Sequence, residues 1–266
     1  EKSKGVIACS AGNHAQGVAL AATKNGIKST ICLPDGAPIS KVEATKRYGA
    51  NVCLVKGVYD DAYNKAIELR DKEGYTFIHP FNDPDVIAGQ GTIGLEILRQ
   101  LPDVDVVVVP IGGGGLISGV AYTIKQLKPS CKAQGAPSME HSVTDGKIET
   151  LNAVNTIADG IAVKTPGDLT FELCQKYVDG IVTVSDDEIA LAILTLLEQQ
   201  KLIAEGAGAV PVAAVMNGKI PEIDGKKVCC VVSGGNIDVT ILSRVIERGL
   251  KMGGRTADIV ISLSDR

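Results

Sequence analysis

The residues best able to do chemistry lie in three glycine-bearing loops. The longest, Gly112-Gly113-Gly114-Gly115, follows the apolar run Val106–Ile111 and precedes a helix-compatible run from Leu116 to Leu127. Glycine has no Cβ, so the backbone can turn at positive φ and several N–H groups can converge on one anion. A helix starting behind such a loop adds its partial positive charge. The pattern is neither Gly-x-Gly-x-x-Gly nor the Gly-x-x-x-x-Gly-Lys-Ser/Thr of a P-loop. It suits a small phosphate monoester held by backbone amides. A plain glycine-rich turn is the alternative, but four glycines in a row cost conformational entropy and add no packing. The second loop, Ser10-Ala11-Gly12-Asn13-His14-Ala15-Gln16-Gly17, opens a helix with polar side chains and free amides, a seat for a carboxylate. The third, Ser233-Gly234-Gly235-Asn236, offers a hydroxyl and an amide.

Each loop follows a short apolar, strand-like run: Val6–Cys9, Val106–Pro110 and Val228–Val232. In open α/β sheets, ligands sit beyond the carboxyl ends of strands, so the three loops can face one crevice. Strands are also expected at 30–33, 52–55, 76–79 and 181–184. The helices expected between them run from about 13 to 25, from Ser40 as N-cap to 48, and over 60–73, 84–101, 168–178, 186–200, 207–216 and up to Leu250. This alternation predicts an α/β protein with open parallel sheets wrapped by helices. Pro129–Pro137 reads as lacking a strand, 138–166 as loop-rich, and Ile259–Leu263 as an extra strand.

Composition excludes several function classes. Of 266 residues 45% are hydrophobic and 22% charged, enough to bury a sizeable core. The net charge of −4, the absence of tryptophan and the lack of a long basic run argue against nucleic acid and membrane surfaces as partners. No apolar run reaches the ~20 residues of a membrane span, and no signal-peptide segment precedes the first strand. Seven cysteines without Cys-x-x-Cys spacing read as reduced, buried thiols of a cytoplasmic protein, with no metal site.

Taken together, Ser10–Gly17, Gly112–Gly115, Ala158-Asp159-Gly160, Glu205-Gly206-Ala207-Gly208-Ala209 and Ser233–Asn236 resemble, in this order, the threonine/serine dehydratases. His79-Pro80-Phe81-Asn82-Asp83-Pro84 and Ala88-Gly89-Gln90-Gly91-Thr92 fit as well. These are pyridoxal-phosphate enzymes of the tryptophan-synthase-β fold group (fold type II), and the likeness covers about residues 4–250. It implies that Gly112, Gly113, Gly114, Gly115 and Leu116 hold the phosphate of pyridoxal 5′-phosphate. Asn13 would bond the ring 3′-oxygen, Gly160 and Glu205 would lie near the ring, and Ser233 would face the ring nitrogen. Ser10, Ala11, Gly12 and His14 would grip the substrate carboxylate. His14 as a solvated helix residue, Glu205 as a surface helix cap, and Asp159 as either a loop-orienting residue or a turn cap stay open. A neutral serine at the ring nitrogen leaves a weaker electron sink than an aspartate, favouring prompt loss of a β-hydroxyl.

The reaction so implied is β-elimination from L-threonine or L-serine to a 2-oxo acid and ammonia, in isoleucine biosynthesis or threonine catabolism, by a cytoplasmic homo-oligomer. The related serine racemases carry a serine where Ala11 stands, acting as an acid/base that alanine cannot replace. A racemase-like enzyme, an O-acetylserine-using lyase, an NAD-binding domain and a non-catalytic amino-acid- or nucleotide-binding fragment are the rival readings. The resemblance implies a smaller carboxylate-binding domain over 1–85, a larger cofactor domain over 86–255, and the start of a regulatory ACT-like domain over 256–266. The family's Schiff-base lysine lies in a Ser-Phe-Lys-like segment upstream of the first strand, with no counterpart in this sequence. Lys2 and Lys4 read as surface lysines. A family strand around Lys132–Ala133 also reads as missing. The expectation is therefore a piece of a longer enzyme, inactive without that lysine.

Overall fold

The structure is a computed structural model that describes residues 3–137, 139–257 and 259. Its first half runs β1 (Val6–Cys9), α1 (Asn13–Lys24), β2 (Ser29–Pro34), α2 (Ile39–Arg47), β3 (Asn51–Val55), α3 (Tyr59–Glu73) and β4 (Thr76–Phe77). These strands form one parallel sheet in the order β3-β2-β1-β4. After α4 (Pro84–Gln100) come β5 (Val106–Ile111), α5 (Gly115–Leu127), β6 (Lys132–Pro137), α6 (Glu140–Asp145) and a 3-10 turn, Asp159–Ile161. Then follow α7 (Asp168–Tyr177), β7 (Gly180–Ile181), α8 (Asp186–Thr195), a π-helical turn (Leu196–Gln200), α9 (Gly206–Met216), β8 (Val228–Cys230) and α10 (Val239–Met252). The second sheet is parallel too, in the order β7-β6-β5-β8.

β5 is the centre of the second sheet, with every residue buried. A run of four valines suits a strand covered by helices on both faces. On one side Val107, Val109 and Ile111 pack with Ile117, Val120 and Ile124 of α5. On the other, Val106 and Val108 meet Ala214 of α9 and Ile220. Helices α4 and α5 touch backbone to backbone: a Cβ on Gly119 would overlap the Ile87 carbonyl and come within 2.6 Å of the Gly91 amide. Within Ala88–Thr92 it is Gly91 that allows this close approach. The start of α4 is fixed by Asp83, whose Oδ1 accepts from the amides of Asp85 (2.8 Å) and Val86 (3.1 Å), with Pro84 in the first helical position.

Several expectations are overturned. Lys132–Pro137 is a strand, paired in parallel with all of β5 from Val106↔Lys132 to Ile111↔Pro137. Lys-Ala-Gln-Gly-Ala-Pro has poor intrinsic strand propensity. The central strand recruits it through hydrogen bonding, and Gly135 leaves the room that the Ile111 and Ile117 side chains occupy. Ser40 is not an N-cap either; it lies inside α2, capped by Pro38, and its hydroxyl donates to Asp238 Oδ2 at 3.1 Å. β4 ends at Phe77 rather than residue 79. There the chain turns, because His79 Nδ1 accepts from the amides of Phe81 (3.2 Å) and Asn82 (2.8 Å). β7 and β8 are likewise shorter than expected, and the 186–200 helix changes to π geometry after Thr195. The segment expected to begin an ACT-like domain lies, from Asp258 on and apart from Ile259, outside the described residues.

A candidate cofactor site between the two sheets

Three strands deliver the three loops. β5 ends at Ile111 and α5 begins at Gly115, with Gly114 as N-cap at φ +97°. That is the left-handed region, where a side chain is strained. The first amides of a helix have no acceptor within it, and Gly114 brings no side chain to cap them. The loop is backed closely on all sides. A Cβ on Gly112 would stand 3.0 Å from Ile161 Cα, one on Gly113 would overlap the Phe81 ring, and one on Gly115 would lie 2.8 Å from Phe81 Cα. The loop carbonyl of Gly113 accepts from Thr170 Oγ1 at 2.6 Å. Thr170 is fully buried on α7 and carries no signal in the sequence.

The Ser10–Gly17 loop opens α1. Ser10 Oγ accepts from the Gly12 amide at 3.1 Å, which closes a tight turn through Ala11. His14 is half-buried and its Nε2 bonds the Ile78 carbonyl at 3.0 Å, so it is not a freely solvated helix residue. Burial holds its pKa below the usual imidazole range. His79 is lowered as well, by burial first and then by His14. Since His79 Nδ1 accepts two amides, its proton belongs on Nε2. The His79 ring meets the Phe81 ring edge-on, with centroids 4.7 Å apart, and Phe81 in turn backs the glycine loop.

Glu205 joins the remaining pieces. It is the N-cap residue of α9 but only 4% exposed, so the surface-cap reading does not hold. Asn13 Nδ2 donates to Glu205 Oε1 at 2.5 Å, across the gap between the sheets. A Cβ on Gly160 would lie 3.6 Å from the same carboxyl oxygen, and one on Gly234 would lie 2.5 Å from it and 2.7 Å from Asn13 Nδ2. The Glu205 amide donates to the Gly234 carbonyl at 3.0 Å, fixing the third loop. Burial pushes the Glu205 carboxyl above its ordinary range; Asn13 opposes the shift, Asp159 adds to it and Lys41 opposes it. Asn13, Glu205, Gly160 and Gly234 are thus one cluster, and Gly112 reaches it through Ile161. Ser233 stands exposed one residue before Gly234. Asp159 both starts the 3-10 turn and pairs with Lys41.

A phosphorylated ring cofactor fits these residues. The uncapped start of α5 is a cradle for a phosphate. Among the described residues Asn236 Nδ2, three positions beyond Ser233, is buried without a hydrogen-bond partner, a polar group awaiting one.

Fold and site together define an enzyme of pyridoxal-phosphate fold type II. Residues 1–234 match the family described as pyridoxal-phosphate dependent enzyme, and the chain belongs to that family. It is 56% identical over 271 residues to L-threonine ammonia-lyase of Thermotoga maritima, covering 100% of this chain and 67% of that one. Among solved structures it resembles the processed form of threonine deaminase isoform 2 from Solanum lycopersicum, with TM-score 0.86, 42% identity, and 92% and 73% of the two chains covered. It also resembles maize serine racemase, with TM-score 0.86, 37% identity, and 94% and 79% covered. The chain spans about two thirds of the length of the first two curated relatives it matches.

Proposed function

We propose that the protein to which this chain belongs catalyses β-elimination of L-threonine or L-serine to a 2-oxo acid and ammonia with pyridoxal 5′-phosphate as cofactor. The observation that carries the reading is the meeting of Asn13, Glu205, Gly160 and the Gly234 backbone beside the Gly112–Gly115 loop. When bound, the cofactor supplies an electron sink for the carbanion at Cα. Gly112, Gly113, Gly114, Gly115 and Leu116 would hold its phosphate, Asn13 would bond the 3′-oxygen, and Ser233 would offer the ring nitrogen a neutral partner. Gly160 and Glu205 line the ring. Ser10, Ala11, Gly12 and His14 bind the substrate carboxylate and orient the β-hydroxyl. Ala11 places no acid or base on the opposite face of Cα, which favours elimination over racemisation.

In this reading residues 1–85 form the smaller, carboxylate-binding domain and 86–255 the larger one that holds the cofactor. Exposed Leu95, Tyr122 and Leu127 on α4 and α5 support a homo-oligomer. Seven free cysteines support a reducing, cytoplasmic setting. Among the described residues no helix is long and apolar enough to cross a membrane.

The test is to add pyridoxal phosphate to the full chain and follow the absorbance of the bound cofactor. Release of 2-oxo acid from threonine and from serine, and chiral analysis of the remaining serine, complete it. Borohydride reduction and peptide mapping locate the anchoring lysine. Two-oxo acid without D-serine is the expected result. D-serine formation would favour the racemase reading. Cofactor or amino-acid binding without turnover would favour the non-catalytic one.

A further inference from the structure

The two halves of the chain are tied to each other by a few side-chain bonds, and one tie comes from α2. Lys41 is the third residue of α2, and its Nζ lies 2.5 Å from Asp159 Oδ2. The Lys41 side chain is only 13% exposed, although Asp159 is 60% exposed. A cation in the first turn stands against the helix dipole, and α2 has no acidic residue there to offset it. Burying the lysine at that position therefore gains α2 nothing locally; its carboxylate partner is 118 residues away. The neighbouring Ser40 makes the parallel bond to Asp238, at the start of α10.

What Asp159 carries makes the tie consequential. The next residue is Gly160, packed against Ala207 and close to Glu205 Oε1. Ile161 follows, against Gly112. The amides of Ile161 and Ala162 close the 3-10 turn on the carbonyls of Ala158 and Asp159, at 3.0 and 3.1 Å. The position of Asp159 thus sets that of the ring wall and of one side of the phosphate loop.

We propose that Lys41 is a positioning residue of the cofactor site: it holds Asp159, and through it the Gly160 turn, against Glu205 and Gly112. This rests on the pyridoxal-phosphate reading of the site. An ordinary surface ion pair contributes little to stability and would leave the site unaffected, so the two roles separate by experiment.

Lys41→Met, Lys41→Arg, Asp159→Asn and the Lys41→Met/Asp159→Asn double variant of the full chain are compared in two measurements. The first, on protein without cofactor, is amide hydrogen exchange at Ile161 and Ala162. Lys41→Met and Asp159→Asn are expected to speed exchange there and leave α5 unchanged. The second is the dissociation constant of pyridoxal phosphate from absorbance titration. Each single variant is expected to weaken binding about tenfold, Lys41→Arg to recover most of the loss, and the double variant to be no worse than the singles. Unchanged exchange, unchanged affinity in both singles, or strictly additive losses would each overturn the role of Lys41. Failure of the parent protein to bind pyridoxal phosphate, with exchange responding as expected, would instead overturn the cofactor reading and leave the tie standing.

Discussion

Glu205 shows how much a single carboxyl can gather. It caps α9 in sequence yet is buried, accepts from Asn13 and holds Gly234 through its own amide. Its raised pKa has a direct consequence for stability. Below the ordinary value of 4.5 the carboxyl is protonated in both folded and unfolded states and exacts no penalty. As pH rises through the higher folded value, the unfolded chain releases its proton more readily, and stability is lost. Glu205→Gln removes this titration while keeping an acceptor for Asn13. The difference in Tm between variant and parent should therefore shift toward the variant on going from about pH 4.5 to about pH 8. A difference constant over that range would mean that burial does not raise this carboxyl. The cysteines are the quiet counterpart: burial pushes the thiols of Cys9, Cys32 and Cys174 up to about 12, so they serve as packing groups and not nucleophiles.

Among the elements, the β5–loop–α5 unit is decisive, and its precision depends on α4. The α4–α5 contact is close enough that Gly119 and Gly91 admit no side chain. Gly119→Ala is expected to cost about 1–3 kcal/mol through backbone overlap, read as a lowered urea midpoint with unchanged m-value. An unchanged midpoint would show that the two helices have room to separate. β6 teaches the complementary point. Its six residues carry neither the β-branched density nor the alternation of a strand, and its order comes from the β5 ladder and the Gly135–Ile111 fit.

At the scale of the whole molecule, side chains join the loops of the two parallel sheets to each other. Asn13 to Glu205 and Lys41 to Asp159 are two of these joints. Asn82 makes a further one, from the turn before α4 to the start of α7: its Nδ2 donates to Asp168 Oδ1 at 2.6 Å and its Oδ1 accepts from the Leu169 amide at 3.1 Å. It anchors the Phe81 turn, which backs the glycine loop, to the start of α7. Asn82→Ala is expected to weaken pyridoxal-phosphate binding on the order of tenfold while far-ultraviolet circular dichroism stays the same. Affinity equal to the parent's would mean that Phe81 is held without that joint.

Features that depend on near neighbours are legible in the order of the residues. The buried run Val106–Ile111, the glycines after it and the apolar helix behind specify a strand, a tight loop and a helix start, because each follows from backbone sterics within a few residues. The polar openings at Ser10–His14 and Ser233–Asn236 are legible for the same reason. Features that depend on residues far apart in the chain arise with the folded arrangement. It made a strand of Lys132–Pro137, buried Glu205 against Asn13, brought Thr170 under Gly113, and set Lys41 on Asp159. None of these has a local signature: their free energy comes from desolvation and pairing with groups that adjoin only after both sheets have formed.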